Sequence, residues 1–256
     1  MMPQRITIVG GGTAGWMAAN LLAHHWREQP IDITLVESPD IGIIGVGEGS
    51  TPSLKRFFED LGISESQWMS RCKATYKVNI QFSGWSPNSG VHSYSHPFIS
   101  QLDTFSERPF QVNCYTRRLG LDVQTDPAKF LFNGWLAKHN LQPNTPEHFP
   151  FNIEYGYHFD SGLLGQFLCE HAQTLGVKHL QRKIEHIKQH PDGSIASLQC
   201  DNGEMIDGDM FIDCTGFQSL LLQKTLNVPF TSFKDNLFND AAVVFPTHTD
   251  DNQPVE

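Results

Sequence analysis

The amino-terminal part of the chain changes from apolar to glycine-rich to helically periodic sequence. Residues 5–9 form an apolar strand pattern, residues 10–15 are mostly glycine, and apolar positions then recur at helical spacing to about residue 27. The run 31–36 is again apolar and β-branched, which favours a second strand. Together these patterns predict a strand–turn–helix–strand unit at the start of the chain.

A second glycine-rich stretch, residues 42–49, separates this unit from another predicted helix. Such a loop lets the backbone come close to a ligand or move. The helix that follows has Pro52 in its first turn, Ser50 or Thr51 as its cap, and Gly62 at its end.

Residues 76–82 alternate between apolar and polar side chains, which predicts one half-buried strand with a polar face. Lys77 lies on that polar face. On this pattern alone, a solvated lysine is the favoured interpretation.

The pattern becomes irregular between residues 84 and 150, where prolines recur and aromatic residues are frequent. This predicts an insertion of loops and short helices over the first domain, and such segments usually carry substrate contacts. The most concentrated aromatic and polar groups lie at 94–98. From the residues alone, packing of His96 and Phe98 under the loops is the better interpretation.

Regular structure returns with a strand at 157–160 and a helix that Asp160 or Ser161 caps. Short strands separated by turn signals follow, which predicts a β-meander. We expect a further helix at 220–226 and a further strand at 241–245.

The glycines of the first turn fit the pattern G-x-G-x-x-G as Gly10, Gly12 and Gly15. Between a strand and a helix this pattern is typical of a dinucleotide site, whose diphosphate lies at the helix N-terminus. Glu37 ends the second strand, where an acid commonly binds a ribose hydroxyl. Asp213, at the end of a later buried strand, is a second candidate contact. The alternative for Glu37 is an ordinary carboxylate at a strand end. The alternative for Asp213 is a core strand followed by a turn.

Composition narrows the class of protein. With 256 residues, 39% hydrophobic and 18% charged, the chain is expected to be globular. Its net charge of −10 argues against nucleic acid or an anionic membrane as the main partner. The five cysteines are scattered and form no C-x-x-C, so we expect reduced thiols and no metal site. With no recognisable signal sequence or membrane-spanning run, a soluble cytoplasmic protein is expected.

Four segments together resemble the flavin-dependent tryptophan halogenase family. They are GGGTAGWMAA at 10–19, VGEGSTPSL at 46–54, the Tyr76-Lys77 strand and FIDCTG at 211–216. The combination of GWMAA with VGE[AG]-x-x-P is specific, because a generic flavoprotein is not expected to have both. The resemblance implies an α/β fold, with an FAD-binding Rossmann-like domain of the aromatic-hydroxylase type, a β-meander and an inserted substrate-binding subdomain. The FAD-binding domain would comprise residues 1–85 and 154–256, and the insertion residues 86–153.

The same resemblance implies a halogenation reaction. A separate flavin reductase supplies reduced FAD, which with O2 and chloride or bromide gives hypohalous acid. Lys77 then holds the acid by a hydrogen bond or as a haloamine beside an indole or another electron-rich aromatic. The resemblance thus favours a catalytic Lys77 over a solvated one. It also places His96 and Phe98 where the family binds an indole between aromatic rings.

Further cofactor contacts are implied by the resemblance. The loop 46–50 would line the flavin and connect the two sites, and Ile184 matches a position that contacts the adenine end through its backbone. The complete set of expected FAD contacts is Gly10, Gly12, Thr13, Ala14, Gly15, Glu37, Ser38, Val46, Gly47, Glu48, Gly49, Ile184, Asp213 and Gly216.

Members of this family are longer, and their W-x-W-x-I-P motif would follow the last residue of this sequence. We therefore expect the chain to be an amino-terminal portion of such a protein. Two alternatives stay open: an FAD-dependent aromatic hydroxylase of the same fold, which would not need the amine of Lys77, and a non-catalytic flavin-binding fragment. A homodimer is also left open.

Overall fold

The structure is a computed structural model that describes residues 4–42, 45, 48–241, 243 and 245. The described residues fall into two compact units. The first unit contains those of 1–46, 66–73 and 160–244, and the second contains those of 47–65, 74–159 and 245–256. The expected division into an FAD-binding domain and an inserted segment stays a prediction.

The chain contains both strands and helices. The strands are β1 Gln4–Val9, β2 Ile31–Glu37, β3 Glu48–Gly49, β4 Thr75–Lys77, β5 Asn79–Ser83, β6 Ser93–Pro97, β7 Gly156–Phe159, β8 Lys178–Gln181, β9 Ile184–Gln189, β10 Ile195–Cys200, β11 Met205–Asp207 and β12 Met210–Asp213. The α-helices are α1 Thr13–His25, α2 Ser53–Asp60, α3 Glu65–Trp68, α4 Glu107–Arg118, α5 Phe132–Lys138 and α6 Ser161–Thr174. Short 3-10 helices lie at Pro87–Ser89, Gln101–Phe105, Pro127–Lys129 and Gly216–Gln218, and a π-helix at Leu220–Thr225.

The first unit is built on a four-stranded parallel sheet in the order β12–β1–β2–β8. Strand β1 lies between two neighbours, with Val9 opposite Asp213 of β12 and opposite Val36 of β2. Ile6, Ile8 and Val9 are buried, as expected for a strand covered on both faces. The predicted α/β class is confirmed. Because the strands are parallel, the carboxyl ends of β1, β2 and β12 meet at one edge, where such sheets bind ligands.

Helices α1 and α6 of this unit are joined by a buried amide. The side-chain nitrogen of Asn20 donates to the carbonyl of Trp16 in its own helix at 2.7 Å and to that of Leu168 in α6 at 2.8 Å. Asp160 precedes the first residue of helix α6, and its carboxylate accepts a hydrogen bond from the Leu163 amide at 2.9 Å. The structure therefore selects Asp160 over Ser161 as the cap.

The predicted β-meander is the antiparallel sheet β11–β10–β9. The next strand, β12, leaves this sheet and joins the parallel one. The predicted helix at 220–226 is the π-helix, and the predicted strand at 241–245 lies partly outside the described residues. Within the described ranges, no helix combines the length and apolar character needed to cross a bilayer.

The second unit contains a three-stranded antiparallel sheet, β3–β7–β4, and the hairpin β5–β6. Helix α2 buries Leu54, Phe57 and Phe58, as its pattern predicts. The predicted cap of α2 is wrong, because Pro52 itself occupies the cap position. The hydroxyl of Ser50 instead accepts a hydrogen bond from the Tyr157 amide at 2.9 Å, which fixes the end of β3 to β7.

The predicted single strand over 76–82 is wrong. The chain forms two strands there, and they belong to different sheets, since β4 pairs with β7 and β5 pairs with β6. Val78 lies between them, and its carbonyl accepts a hydrogen bond from the amide of Phe98 at 3.2 Å. Alternation of side chains continues through Val78, so the sequence period does not reveal the change of partner.

The insertion 84–150 holds more regular structure than the sequence predicts. It contains strand β6 and the twelve-residue helix α4. Helix α4 has no buried residue, so it lacks the apolar stripe by which a helix is recognised.

Candidate active site

The glycine turn after β1 requires glycine for two different reasons. Gly10 has a φ of +109°, and a Cβ there would lie 2.3 Å from the carbonyl oxygen of Cys214. A Cβ at Gly15 would lie 2.0 Å from the carbonyl oxygen of Gly10. These two positions allow strand, turn and helix to pack closely. By contrast, a Cβ at Gly12 would meet open space. At this position the protein backbone is expected to contact the ligand.

The start of α1 suits a diphosphate. Gly12 is the cap residue, and the first turn carries no acidic side chain. The first amides of a helix have no partner within it, so those of Thr13, Ala14 and Gly15 can bind oxygen atoms at the positive end of the helix dipole. The turn therefore fits the pyrophosphate of a dinucleotide.

The acid predicted to bind ribose lies over this turn. Glu37 ends β2, and one of its carboxylate oxygens, Oε1, is 2.6 Å from Nε2 of His179 in β8. The other oxygen, Oε2, lies over Gly11, where a Cβ would approach it to 1.5 Å. Ser38 follows, and its hydroxyl accepts a hydrogen bond from the Asp40 amide at 3.3 Å.

Asp213 lies beside Val9 at the same edge of the sheet, but its carboxylate has internal partners. It accepts hydrogen bonds from the Thr215 amide and hydroxyl and from the amides of Leu221 and Leu222, which lie in the first turn of the π-helix. Burial raises the pKa of Asp213, and these hydrogen bonds lower it further than burial raises it. These hydrogen bonds hold the chain after β12, including Gly216 with its φ of +58°.

Ile184 lies at the start of β9, away from the glycine turn in sequence. It lines an open pocket of about 400 Å³ together with Leu220 and Lys224. Val46 and Gly47 lie outside the described residues. Glu48 and Gly49 form β3, paired with Phe159 and His158 of β7.

Lys77 ends β4 in the second unit and is half-buried. Burial lowers the pKa of its amine. The amine lies 5.9 Å from the centre of the Phe98 ring, and the backbone hydrogen bond from Phe98 to Val78 holds that ring beside the strand. The structure thus brings together two of the predicted residues, the lysine expected to be catalytic and one of the two aromatics expected to bind substrate.

Gly49 and His158 complete the surroundings of the amine. A Cβ at residue 49 would lie 3.0 Å from Nζ of Lys77 and 3.3 Å from Nδ1 and Cε1 of His158. Burial, followed by the charge of Lys77, lowers the pKa of His158. An imidazole and an amine whose pKa values are both lowered by burial therefore face the same glycine.

His96 lies on the hairpin, one strand residue before Pro97, and is exposed. It pairs with Ile80, and its ring is 6.4 Å from the ring of Phe82. Phe82 also stacks on Tyr94, with ring centres 5.2 Å apart. The hairpin therefore carries a group of neighbouring aromatic rings, and Phe98, beside the amine, follows its second strand in sequence.

A cluster of three tyrosines around Glu65 was not predicted from the sequence. The hydroxyls of Tyr76, Tyr155 and Tyr157 all donate to the carboxylate of Glu65, at 2.7, 2.8 and 2.7 Å. Tyr76 directly precedes Lys77, so the cluster fixes β4 against β7. Among the described residues, no group of three potential metal ligands is found.

Comparison with known proteins gives a consistent result. A family model described as tryptophan halogenase matches residues 5–256. The chain is 35% identical over 282 residues to the tryptophan 7-halogenase RebH of Lentzea aerocolonigenes, across 98% of this chain and 50% of that protein. It is 35% identical over 270 residues to the tryptophan 6-halogenase SttH of Streptomyces toxytricini, across 97% of this chain and 50% of that protein.

A solved structure agrees. Xcc4156, a flavin-dependent halogenase from Xanthomonas campestris, superposes with a TM-score of 0.75 at 36% identity, covering 90% of this chain and 45% of that one. The chain spans about half the length of the curated relatives it matches.

Proposed function

The chain belongs to the tryptophan halogenase family, and on that premise we propose that the protein is a flavin-dependent halogenase of an indole or another electron-rich aromatic. Its α/β fold is the FAD-binding Rossmann-like fold of the solved flavin-dependent halogenases. The observation that carries the proposal is the half-buried amine of Lys77, 5.9 Å from the centre of the Phe98 ring.

FAD is proposed to bind across the glycine turn. The open space at Gly12 and the free amides of the first turn of α1 would hold the pyrophosphate, and Glu37 would bind the adenosine ribose. When bound in its reduced form, the flavin would supply hypohalous acid from O2 and halide. Ser38, Glu48, Gly49, Ile184, Asp213 and Gly216 stay proposed contacts of the same cofactor, as do Val46 and Gly47.

Lys77 is proposed to transfer the halogen. Because burial lowers its pKa, a larger fraction of the side chain is free amine than in solvent. The amine nitrogen can attack the halogen of hypohalous acid, so that an N–halogen bond forms, the halogen–oxygen bond breaks, and the amine proton leaves with the hydroxide as water. Attack by a ring carbon then takes the halogen, releases the ring proton and restores the amine. The ammonium can instead donate a hydrogen bond to hypohalous acid, and both routes need the nitrogen beside the ring.

Phe98 is proposed to hold the substrate ring at that nitrogen, with His96 on the other side. An aromatic substrate stacks on such rings in preferred offset or edge-on geometries, and this selects the ring carbon nearest the amine. The group of neighbouring aromatic rings on the hairpin suits a planar, electron-rich substrate.

The test replaces Lys77 with alanine in the full-length protein. Variant and wild type are incubated with a flavin reductase, FAD, bromide and a panel of indoles and phenols, and the products are measured by mass spectrometry. We expect halogenation to be abolished while FAD binding, followed by flavin fluorescence, stays unchanged. The exposed Lys129→Ala variant serves as a matched control and should keep full activity.

Two outcomes would contradict the proposal. Retained bromination by Lys77→Ala would exclude the lysine as the halogen-transfer group. A product heavier by one oxygen, formed equally by both proteins, would identify an aromatic hydroxylase.

The proposal includes three features of the whole protein. A separate flavin reductase would supply reduced FAD, the protein would act in the cytoplasm, and residues 86–153 would form a substrate-side insertion in an FAD-binding domain made of 1–85 and 154–256. Chloride and bromide are both proposed as halide co-substrates, and a homodimer stays an open alternative to a monomer.

A further inference from the structure

We propose that His179 is a positioning residue for the adenosine ribose of the cofactor, because it holds the carboxylate of Glu37 over the glycine turn. This inference rests on the FAD site of the proposed function. It adds to that site a residue that lies on a different strand and that does not itself touch the ribose.

The sheet places the two side chains on the same face. In the parallel pair β2–β8, Leu35 is opposite His179 and Glu37 is opposite Gln181. His179 and Glu37 are therefore diagonal neighbours two residues apart in register. The side chain of His179 is 15% exposed and that of Glu37 is 23% exposed. Nε2 of the imidazole lies 2.6 Å from Oε1 of the carboxylate.

The imidazole ring is held by its other neighbours. The ring of Trp16, which is buried in α1, meets it edge-on with centres 4.9 Å apart. On the far side, Nδ1 lies 3.7 Å from the sulfur of Cys169 in α6. Gln173 donates to that sulfur at 3.2 Å.

The hydrogen bonds define one direction of donation. A carboxylate only accepts, so Nε2 carries a proton and donates it to Glu37. Burial raises the pKa of Cys169, so its thiol stays protonated and can donate to Nδ1. A chain of donors then runs from Gln173 through Cys169 and His179 to Oε1 of Glu37.

The consequence is that Oε2 of Glu37 is left for a ligand. This oxygen lies where a Cβ of Gly11 would be, so the absence of that Cβ lets the carboxylate lie against the turn. A glutamate side chain has several rotatable bonds, and fixing it before binding lowers the entropy lost when a ribose hydroxyl donates to it.

The experiment compares two flavins that differ in this ribose. FAD carries the adenosine ribose and FMN does not. Wild type, His179→Leu, His179→Gln and the exposed control His190→Leu are titrated with each flavin by fluorescence quenching, using the full-length protein. We expect His179→Leu to weaken FAD binding about tenfold, the size of one hydrogen bond to a charged group, and to leave FMN binding unchanged.

Two further results are expected. The amide of His179→Gln can still donate to Glu37, so that variant should recover most of the FAD affinity. In the background of Glu37→Gln, His179→Leu should cost little more, because both changes remove the same interaction. His190→Leu should match wild type with both flavins.

The inference is overturned if His179→Leu binds FAD as wild type does, or if it loses FMN and FAD affinity by the same factor, which would indicate a general effect on the fold. The test is independent of halogenation. If Lys77→Ala retained activity, the proposed role of Lys77 would fail while the FAD and FMN titrations still decided the role of His179.

Discussion

Replacement of Glu65 with glutamine tests how strongly the tyrosine cluster holds the strand that carries Lys77. In the native chain, Oε1 accepts from Tyr155 and Tyr157, and Oε2 accepts from Tyr76. A glutamine amide has the same shape but only one acceptor oxygen, since its nitrogen donates. At least one of the three hydroxyls therefore loses its acceptor.

The expected loss of stability follows from these three hydrogen bonds. A buried hydroxyl without a partner costs about 1–3 kcal/mol, and each of the two remaining bonds weakens by roughly 0.5–1 kcal/mol when its acceptor loses its charge. We therefore expect Glu65→Gln to lower the free energy of unfolding by about 3 kcal/mol, a large fraction of the stability of a typical domain.

Urea denaturation followed by circular dichroism measures this change. The control is Glu147→Gln, which makes the same chemical change at an exposed position of the same unit and should shift the free energy of unfolding by less than about 0.5 kcal/mol. If the two variants unfold at the same urea concentration, the three hydroxyls do not depend on Glu65 and the reasoning is refuted. If Glu65→Gln is destabilised as expected, Tyr76→Phe should cost less in that background than in wild type, because the two side chains share one interaction.

Two further predictions concern the same chain. Gly10→Ala should lower the free energy of unfolding by about 3 kcal/mol, because its φ is +109° and its Cβ would lie 2.3 Å from a carbonyl oxygen. Gly12→Ala places its Cβ in open space, so it should unfold like wild type but bind FAD more weakly. Thermal melts measure the first effect and FAD titrations the second. Equal melting temperatures for the two variants would contradict this. Burial and the hydrogen bond to Glu65 raise the pKa of Tyr76 from 10.0 to about 12, so the neutral form stabilises the fold below pH 10 and this stabilisation is lost as the pH rises toward 12. Urea midpoints measured from pH 9 to 12 should fall more steeply for wild type than for Tyr76→Phe, and parallel curves would exclude the effect.

Local patterns predicted the first unit well. Strand β1, the glycine turn, helix α1 and strand β2 follow each other within 37 residues, and each has its own signal in the sequence. Glu37 could be placed at the ligand edge because it ends β2, and parallel strands end at one edge. Asp213 could be placed at the same edge, but the engagement of its carboxylate by Thr215 and the π-helix could not, since it depends on backbone geometry after the strand.

Long-range pairing accounts for what the sequence does not reveal. His179 is 142 residues from Glu37, and Tyr155 is 90 residues from Glu65. No period or spacing connects such positions until the strand order and register are known. The change of sheet at Val78 has the same origin, because a side-chain alternation of two residues is identical for one strand and for two strands in succession.

The surroundings of Lys77 illustrate the limit of pattern alone. Alternation assigned the amine to a polar face, and the family resemblance pointed to an enclosed one. The structure half-buries the amine because Gly49 and His158 approach it from β3 and β7. These neighbours come from the pairing of three strands that are distant in sequence.

The break at Val78 has a consequence for how substrate range can diverge. One backbone hydrogen bond there fixes Phe98 beside the strand of Lys77, whereas the far end of the hairpin closes independently through the Gly84 amide and the His92 carbonyl. Between those closing residues, Trp85 is largely exposed. Mutations and insertions at this outer tip can therefore accumulate without displacing the amine, which makes residues 85–91 a suitable segment to randomise when selecting variants for new aromatic compounds.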